Sequence, residues 1–154
     1  MGDALVAQGR VDLIAKTVET VKAQGAIAGV SCHNLDVIEA CEKAGVNPDF
    51  YMKTFHHHEY WSAGPKERND SVFEETPDKT IELMKTIDTP WVAFKVLAAG
   101  AIPPANGFEF AVRNGADFLC VGMFDFQVEE DAAIAKRIIE KHAERPRPWR
   151  ANLA

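Results

Sequence analysis

The stretch WVAFKVLAAGAI, from Trp91 to Ile102, decides the fold because it joins a strand pattern to a turn of small residues. Its first residues alternate between two faces, which carry Val92, Phe94 and Val96 on one side and Ala93, Lys95 and Leu97 on the other. One face is therefore apolar, and the other carries an ammonium group. This alternation predicts a buried parallel strand with helices against one face and the interior of a barrel against the other.

A second stretch, DFYMKTFH from Asp49 to His56, has the same pattern and also carries a single lysine. Its two faces carry Phe50, Met52 and Thr54 on one side and Tyr51, Lys53 and Phe55 on the other. We predict that both strands direct their lysines, Lys53 and Lys95, toward the inward face. This pair of inward lysines is the main functional indication in the sequence.

Composition and charge limit the classes of protein to consider. The 154 residues are 47% hydrophobic and 26% charged, which is typical of a single globular domain. A net charge of −6 argues against a nucleic-acid or membrane partner, either of which favours a basic surface. The sequence shows no membrane span and no signal-peptide pattern at its start. Three cysteines without metal-type spacing predict reduced thiols in a cytoplasmic protein. We expect no metal and no cofactor, because the lysine chemistry considered below needs neither.

Helix and strand patterns alternate along the chain in the order α-βα-βα-βα-βα. The helices are predicted from glycine stops at Gly25, Gly45 and Gly115, a start at Thr76–Pro77, and an acidic first turn at 129–131. Strands are predicted at 26–32, 49–56, 91–97 and 116–123. Such alternation implies parallel pairing, and four βα units are half of an eight-stranded barrel.

We therefore predict an α/β fold in which residues 1–154 form one domain, the (βα)4 half of a TIM barrel, with an irregular tail at 145–154. The alternative is a small doubly wound sheet. That alternative is less favoured because an open sheet covered by helices on both faces offers no suitable place for lysines in mid-strand.

Two groups of residues resemble known barrels. The turn at 98–102, followed by Ala116–Asp117 and Val121–Gly122, is similar to the seventh and eighth strands of aldolase-type TIM barrels. More narrowly, the segments Met52-Lys53-Thr54, Phe94-Lys95 and Ala99-Gly100 resemble strands six and seven of deoxyribose-phosphate aldolases. The resemblance implies that Lys53 is the Schiff-base lysine and that Lys95 is its partner on strand seven.

The chain also departs from that family at two loops. Phe55-His56-His57-His58 stands where the family has a Ser-Thr-Gly loop, and Met123–Phe126 stands where it has a serine-bearing phosphate loop. The resemblance further implies that the first four strands of a full barrel are absent from this sequence. We therefore expect either a homo-oligomer that completes the barrel or association with a missing N-terminal half.

The predicted function is that of an aldolase-like lyase that acts on a small carbonyl compound or sugar, with or without a phosphate. A lysine attacks a carbonyl only as the free amine, which a second ammonium group nearby would favour. The predicted catalytic residues are Lys53, Lys95, His33 and His57. The predicted substrate-binding residues are His56, His58, Glu59, Ala99, Gly100, Gly122 and Asp125.

Each assignment has an alternative. The lysines could be ordinary residues at strand ends, and Asp125 could cap the final helix. The run from His56 to Glu59 could be the ligand set of a metal-dependent sugar isomerase or lyase, although adjacent residues of an extended chain point in opposite directions. It could equally be a polar loop. A non-catalytic half-barrel is the remaining alternative.

Overall fold

The computed structural model describes residues 2–64 and 72–150, and in that part the chain alternates helices with strands. Helices α1 to α6 span Gly2–Ala7, Val11–Ala23, Asp36–Ala44, Pro77–Lys85, Pro104–Arg113 and Val128–Lys141. Strands β1 to β4 span Gly29–Cys32, Phe50–Thr54, Trp91–Phe94 and Phe118–Cys120. Short 3-10 helices lie at Ala98–Gly100 and Asp125–Gln127.

Local sequence signals account for several of these boundaries. Gly45 follows α3 with a φ of 69°, a left-handed conformation that glycine adopts without steric cost. Pro77 begins α4, where its fixed φ suits the first turn and its missing N–H would have had no intrahelical partner. Helix α1 was not predicted. It is anchored from outside itself, because the Asp3 carboxylate accepts hydrogen bonds from the backbone N–H groups of His33 and Asn34.

The four strands form one all-parallel sheet in the order β1-β2-β3-β4. The predicted α/β class and parallel pairing are therefore confirmed. Parallel strands that pair in sequence order, joined by right-handed crossovers, carry their helices to the same face of the sheet. Within the described residues, none of the helices has the length and apolar character that crossing a membrane requires.

The two faces of the sheet differ in burial. The face against the helices is closed, and its buried side chains include Val30, Cys32, Tyr51, Trp91 and Ala93. The opposite face, which we call the open face, carries Ser31, Phe50, Met52, Val92, Phe94, Phe118 and Cys120. These side chains are partly or largely accessible to solvent, and Phe118 is 46% exposed.

Two aspartates fasten neighbouring strands at the amino ends of the sheet. Asp49, just before β2, accepts a hydrogen bond of 2.8 Å from the backbone N–H of Ala28. Asp117, just before β4, accepts one of 2.9 Å from the N–H of Trp91. The Asp117 carboxylate is fully buried. The carboxylates of Asp49 and Asp117 therefore hold neighbouring strands in register.

Asp117 also binds the segment after α6. Its two carboxylate oxygens pair with Arg145 at 2.6 Å and with Arg147 at 2.7 Å. The Arg147 guanidinium, which is buried, further donates to four backbone carbonyls, those of Met84, Ile87, Thr89 and Gly115. Residues 145–150 form neither helix nor strand, as predicted for this part of the tail. The contacts of Arg145 and Arg147 nevertheless fix the segment to the sheet. Residues 151–154 lie outside the described part.

Candidate functional site

A cavity of about 570 Å³ opens at the carboxyl ends of β3 and β4, and we call it the Lys95 cavity. Four residues of the predicted site line it, namely Lys95, Ala99, Gly100 and Gly122. Phe73, Cys120 and Asp131 contribute to the same lining. The carboxyl ends of parallel strands are where ligands bind in α/β folds, so this cavity is the candidate site.

Lys95 has an unusual backbone conformation. Strand β3 ends at Phe94, one residue before the lysine, and Lys95 has a φ of 57°. Ala98 and Ala99 also have positive φ values, of 46° and 56°. A non-glycine residue in this region costs about 1–3 kcal/mol and is found where the surrounding structure holds it, often at functional sites. The left-handed turn ends the strand alternation and brings the lysine to the cavity.

The Lys95 ammonium rests against an aromatic ring, and no carboxylate of residues 2–64 or 72–150 forms an ion pair with it. Its Nζ lies 4.0 Å from the centroid of the Phe73 ring and 5.9 Å from that of Phe94. A cation over a ring face is stabilised by about 0.5–2 kcal/mol. Phe94 belongs to the open face, so this lysine reaches the side of the sheet that the helices leave uncovered.

Lys53 occupies the opposite side, and its predicted inward direction is wrong. It shares its strand face with Tyr51, whose hydroxyl donates a hydrogen bond of 2.8 Å to Glu42 on α3. The Lys53 side chain is only 1% exposed, and its Nζ lies 2.5 Å from Glu74 Oε2. The same carboxylate oxygen accepts from Thr80 on α4. The strand alternation was correctly identified, but the face that the helices cover was assigned the wrong way round.

The two predicted lysines have different surroundings in the described structure. Glu74 neutralises Lys53 beneath the helices, whereas Lys95 lies at the cavity. Lys53 is held by two acceptors, Glu74 and the backbone carbonyl of Thr54 at 2.8 Å. A mid-strand lysine on a helix-covered face is tolerated because its charge is paired and its hydrogen bonds are made.

Two histidines of the predicted loop, His56 and His58, form hydrogen bonds with backbone groups and so have a structural role. His56 is fully buried, and its Nε2 accepts hydrogen bonds of 3.1 Å from the backbone N–H groups of Phe73 and Glu74. Its Nδ1–H donates to the carbonyl of His57 at 2.9 Å. Nε2 of His58 donates to the carbonyl of Glu74 at 2.6 Å. These two rings hold the segment that carries both Phe73 and Glu74.

Metal binding by this loop would require breaking those contacts. Both ring nitrogens of His56 are engaged, and so is Nε2 of His58. In residues 2–64 and 72–150, no group of three or more His, Cys, Asp or Glu side chains is arranged to hold a metal ion.

The other predicted residues do not line the Lys95 cavity. His57 and Glu59 line a separate cavity with Glu109 and Arg113 of α5. His33 lies at the end of β1, half-exposed, with its Nδ1 3.3 Å from Asp3 Oδ2. His57 and Glu59 therefore do not line the Lys95 cavity. The His33 ring, by contrast, packs edge-on against Phe94 with 5.5 Å between ring centroids, and Lys95 Nζ lies 5.9 Å from the same Phe94 ring.

Asp125 is exposed and does not line the Lys95 cavity. Its Oδ1 accepts from the backbone N–H of Phe126 at 2.8 Å within the 3-10 turn that precedes α6. It therefore does not cap the final helix, since Gln127 occupies the N-cap position.

Sequence reasoning missed Asp131, which we interpreted only as a favourable charge at the helix start. Asp131 is 4% exposed and lines the Lys95 cavity. Its position relative to Ile134 and Ile138 places it in the buried stripe of α6. An acidic residue within an apolar stripe was the signal that could have identified it.

Comparison of the chain with protein-family models, with curated proteins and with solved structures found no match.

The burial of His56 leads to a prediction about how the free energy of unfolding depends on pH. Burial lowers the pKa of His56 below its ordinary 6.5. The unfolded chain then binds more protons than the folded one between these two pKa values, so stability rises with pH in that window. We expect the contribution of neutral His56 to the free energy of unfolding to reach its full value above about pH 7.5. This contribution should decrease as the pH drops through 6.5. Below the folded-state pKa the loss levels off.

Urea unfolding at pH 7.5 and at pH 5.5 measures this loss. His56→Gln should show a smaller difference between the two pH values than the unmodified chain. His57→Gln should retain part of it, because burial also lowers the pKa of His57. An identical pH dependence in His56→Gln would contradict the assignment.

Proposed function

We propose that the chain is an aldolase-like carbon–carbon lyase that binds a small aldehyde or sugar as a Schiff base on Lys95. The observation that carries this proposal is the placement of Lys95, whose amine lines an open cavity at the carboxyl ends of β3 and β4 without a carboxylate against it in the described contacts. Lys95 adds to the carbonyl carbon, and water leaves with the carbonyl oxygen. When the C–C bond beyond the α-carbon breaks, the iminium accepts its electron pair and becomes an enamine, while the β-hydroxyl loses its proton to water and becomes the carbonyl of the released fragment. Protonation of the enamine and hydrolysis then release the second fragment and return Lys95.

The environment of Lys53 favours Lys95 as the nucleophile. A nucleophilic amine must reach the carbonyl, and Lys53 is enclosed beneath α4 with its Nζ held by Glu74. Lys95 is partly exposed. This exchanges the roles that the family resemblance implied, in which Lys53 carried the adduct.

Phe73 supports the same chemistry. The iminium formed from Lys95 is a cation in the place where the ammonium now lies, 4.0 Å from the Phe73 ring centroid. A ring face that stabilises the ammonium can also stabilise this intermediate. His56 and His58 position Phe73 indirectly by bonding the backbone of residues 73 and 74.

Reductive trapping tests the proposal. Borohydride reduces an iminium to a stable secondary amine, so incubation with D-glyceraldehyde and borohydride should attach one aldehyde to Lys95. We expect Lys95→Arg to lose this adduct, because guanidinium does not form the imine under these conditions. Lys79→Arg, which changes an exposed lysine on α4, is the matched control and should label like the unmodified chain. Equal labelling of Lys95→Arg and the unmodified chain would contradict the proposal.

We further propose that the sheet is half of an eight-stranded barrel and that a second copy of the chain supplies the other half. Four strands in sequence order leave β1 and β4 as free edges, and the open face carries accessible apolar side chains. A two-fold axis along the barrel would pair β4 of each copy with β1 of the other and keep all eight strands parallel. This closure would remove both edges, which otherwise invite aggregation.

Light scattering after size exclusion measures this association. We expect a dimer for the unmodified chain and dissociation for Phe118→Glu, which places a charge on the open face. Val128→Glu is the matched control, because Val128 is 49% exposed but lies at the start of α6 rather than on the sheet. A folded monomer at micromolar concentration would contradict the proposed closure.

A further inference from the structure

The Lys95 cavity contains a second charged side chain that the proposed chemistry has not used. Asp131 lies in the first turn of the 14-residue helix α6 and is 4% exposed. Its Oδ2 is buried and has no hydrogen-bond partner among residues 2–64 and 72–150. A buried carboxylate oxygen without a donor is costly, so its presence in the wall of a cavity points to a donor supplied by a ligand.

We propose that Asp131 is a substrate-binding residue that accepts a hydrogen bond from a hydroxyl group, and that the cavity takes an unphosphorylated hydroxy-carbonyl compound. This inference rests on the proposed function, since the carbonyl of the same molecule would react with Lys95. A hydroxyl donor satisfies Oδ2 without adding charge. Hydrogen bonds to an ionised acceptor are shorter and stronger than neutral ones.

The charges around the cavity favour a neutral ligand. Among the lining residues within 2–64 and 72–150, Lys95 and Asp131 are the two charged side chains, and their formal charges cancel. The same end of α6 also carries Glu129 and Glu130, both exposed. A phosphate group beside Asp131 would place two further negative charges against a carboxylate, which disfavours its binding.

Apolar side chains contribute to the rest of the lining, and they include Val96, Leu97, Val121 and Met123. The carbon chain of a hydroxy-aldehyde can contact this apolar surface while its carbonyl reacts with Lys95 and a hydroxyl binds Asp131.

Three aldehydes with three-carbon chains separate the contributions. D-glyceraldehyde has hydroxyl groups, propionaldehyde lacks them, and D-glyceraldehyde 3-phosphate adds the phosphate. Each is incubated with the full chain and borohydride, and the rate of adduct formation on Lys95 is measured by peptide mass spectrometry. Each rate is divided by the rate at which the same aldehyde forms a reduced adduct with butylamine. This division corrects for the intrinsic reactivity of the aldehyde.

We expect the corrected rate for glyceraldehyde to exceed that for propionaldehyde by about tenfold or more, the size of one charge-assisted hydrogen bond. The phosphorylated aldehyde should label more slowly than glyceraldehyde. Asp131→Asn keeps an acceptor oxygen but removes its charge, so it should reduce the hydroxyl preference severalfold and label faster with the phosphorylated aldehyde. Glu130→Gln removes the same charge at an exposed neighbouring position and should retain the hydroxyl preference.

The outcomes distinguish the inference from the function on which it rests. Labelling of Lys95 without a hydroxyl preference, or a preference that is undiminished in Asp131→Asn, overturns the role of Asp131 and leaves the Schiff-base function standing. The absence of an adduct from all three aldehydes overturns both. Thermal unfolding followed by circular dichroism checks the variant, and Asp131→Asn should melt no lower than the unmodified chain because it removes a buried charge without a partner.

Discussion

Replacing Asp117 with alanine is expected to lower the free energy of unfolding by about 3–5 kcal/mol, the cost of breaking a buried ion pair by removing one partner. Asp117 accepts hydrogen bonds from Arg145, Arg147 and the N–H of Trp91, and both arginine side chains are buried with it. Its loss would leave two guanidinium groups without their carboxylate. The free energy of unfolding of a typical domain is about 5–15 kcal/mol, so this loss would be a large part of the total stability.

Urea unfolding at neutral pH measures this change against two controls. Asp49→Ala removes the equivalent strand clamp in a more exposed setting, where the carboxylate pairs with Lys22, and should cost about 1 kcal/mol. Asp88→Ala removes an exposed partner of Arg150 and should have little effect. A change below about 1 kcal/mol for Asp117→Ala would show that the segment after α6 does not stabilise the sheet as its contacts indicate.

The buried pair of Lys53 and Glu74 should behave in the same way, with a further consequence for function. Glu74→Ala leaves the Lys53 ammonium buried without a carboxylate and is expected to cost about 3–5 kcal/mol. The double variant Lys53→Met with Glu74→Gln removes both charges while keeping the side-chain volumes similar. It should recover most of the lost stability, because neither residue then leaves an unpaired charge.

The double variant also separates the structural role of Lys53 from the chemical one. If Lys95 carries the Schiff base, the double variant should still form the glyceraldehyde adduct in the presence of borohydride. A variant that unfolds like the unmodified chain but no longer forms any adduct would return the nucleophilic role to Lys53. Equal stability losses in the single and double variants would contradict the ion-pair account.

The periodicity of the sequence predicted the sheet better than it predicted the site. The alternation in 49–56 and 91–97 was sufficient to assign two strands, because a period of two is visible in the residues themselves. The face that the helices cover is decided by packing instead. Glu74, 21 positions after Lys53, makes a lysine acceptable on the covered face, and strand alternation contains no information about that partner.

Two other residues show why the site was only partly predictable. The left-handed φ of Lys95 arises where β3 turns into the small-residue segment, and lysine itself gives no sign of a positive φ. His56 looked like a reactive or metal-binding residue because of its neighbours in sequence. Its actual partners, the N–H groups of residues 73 and 74, are distant in sequence and could not be read from the histidine run.

The position of the reductive adduct in the unmodified chain tests the central claim most directly. The chain is treated briefly with D-glyceraldehyde and borohydride so that on average less than one aldehyde is attached, and peptide mass spectrometry then locates the modified lysine. The account predicts the adduct on Lys95, with Lys53 unmodified beneath α4 while the chain stays folded. An adduct on Lys53 in the folded chain, with Lys95 unmodified, would contradict it.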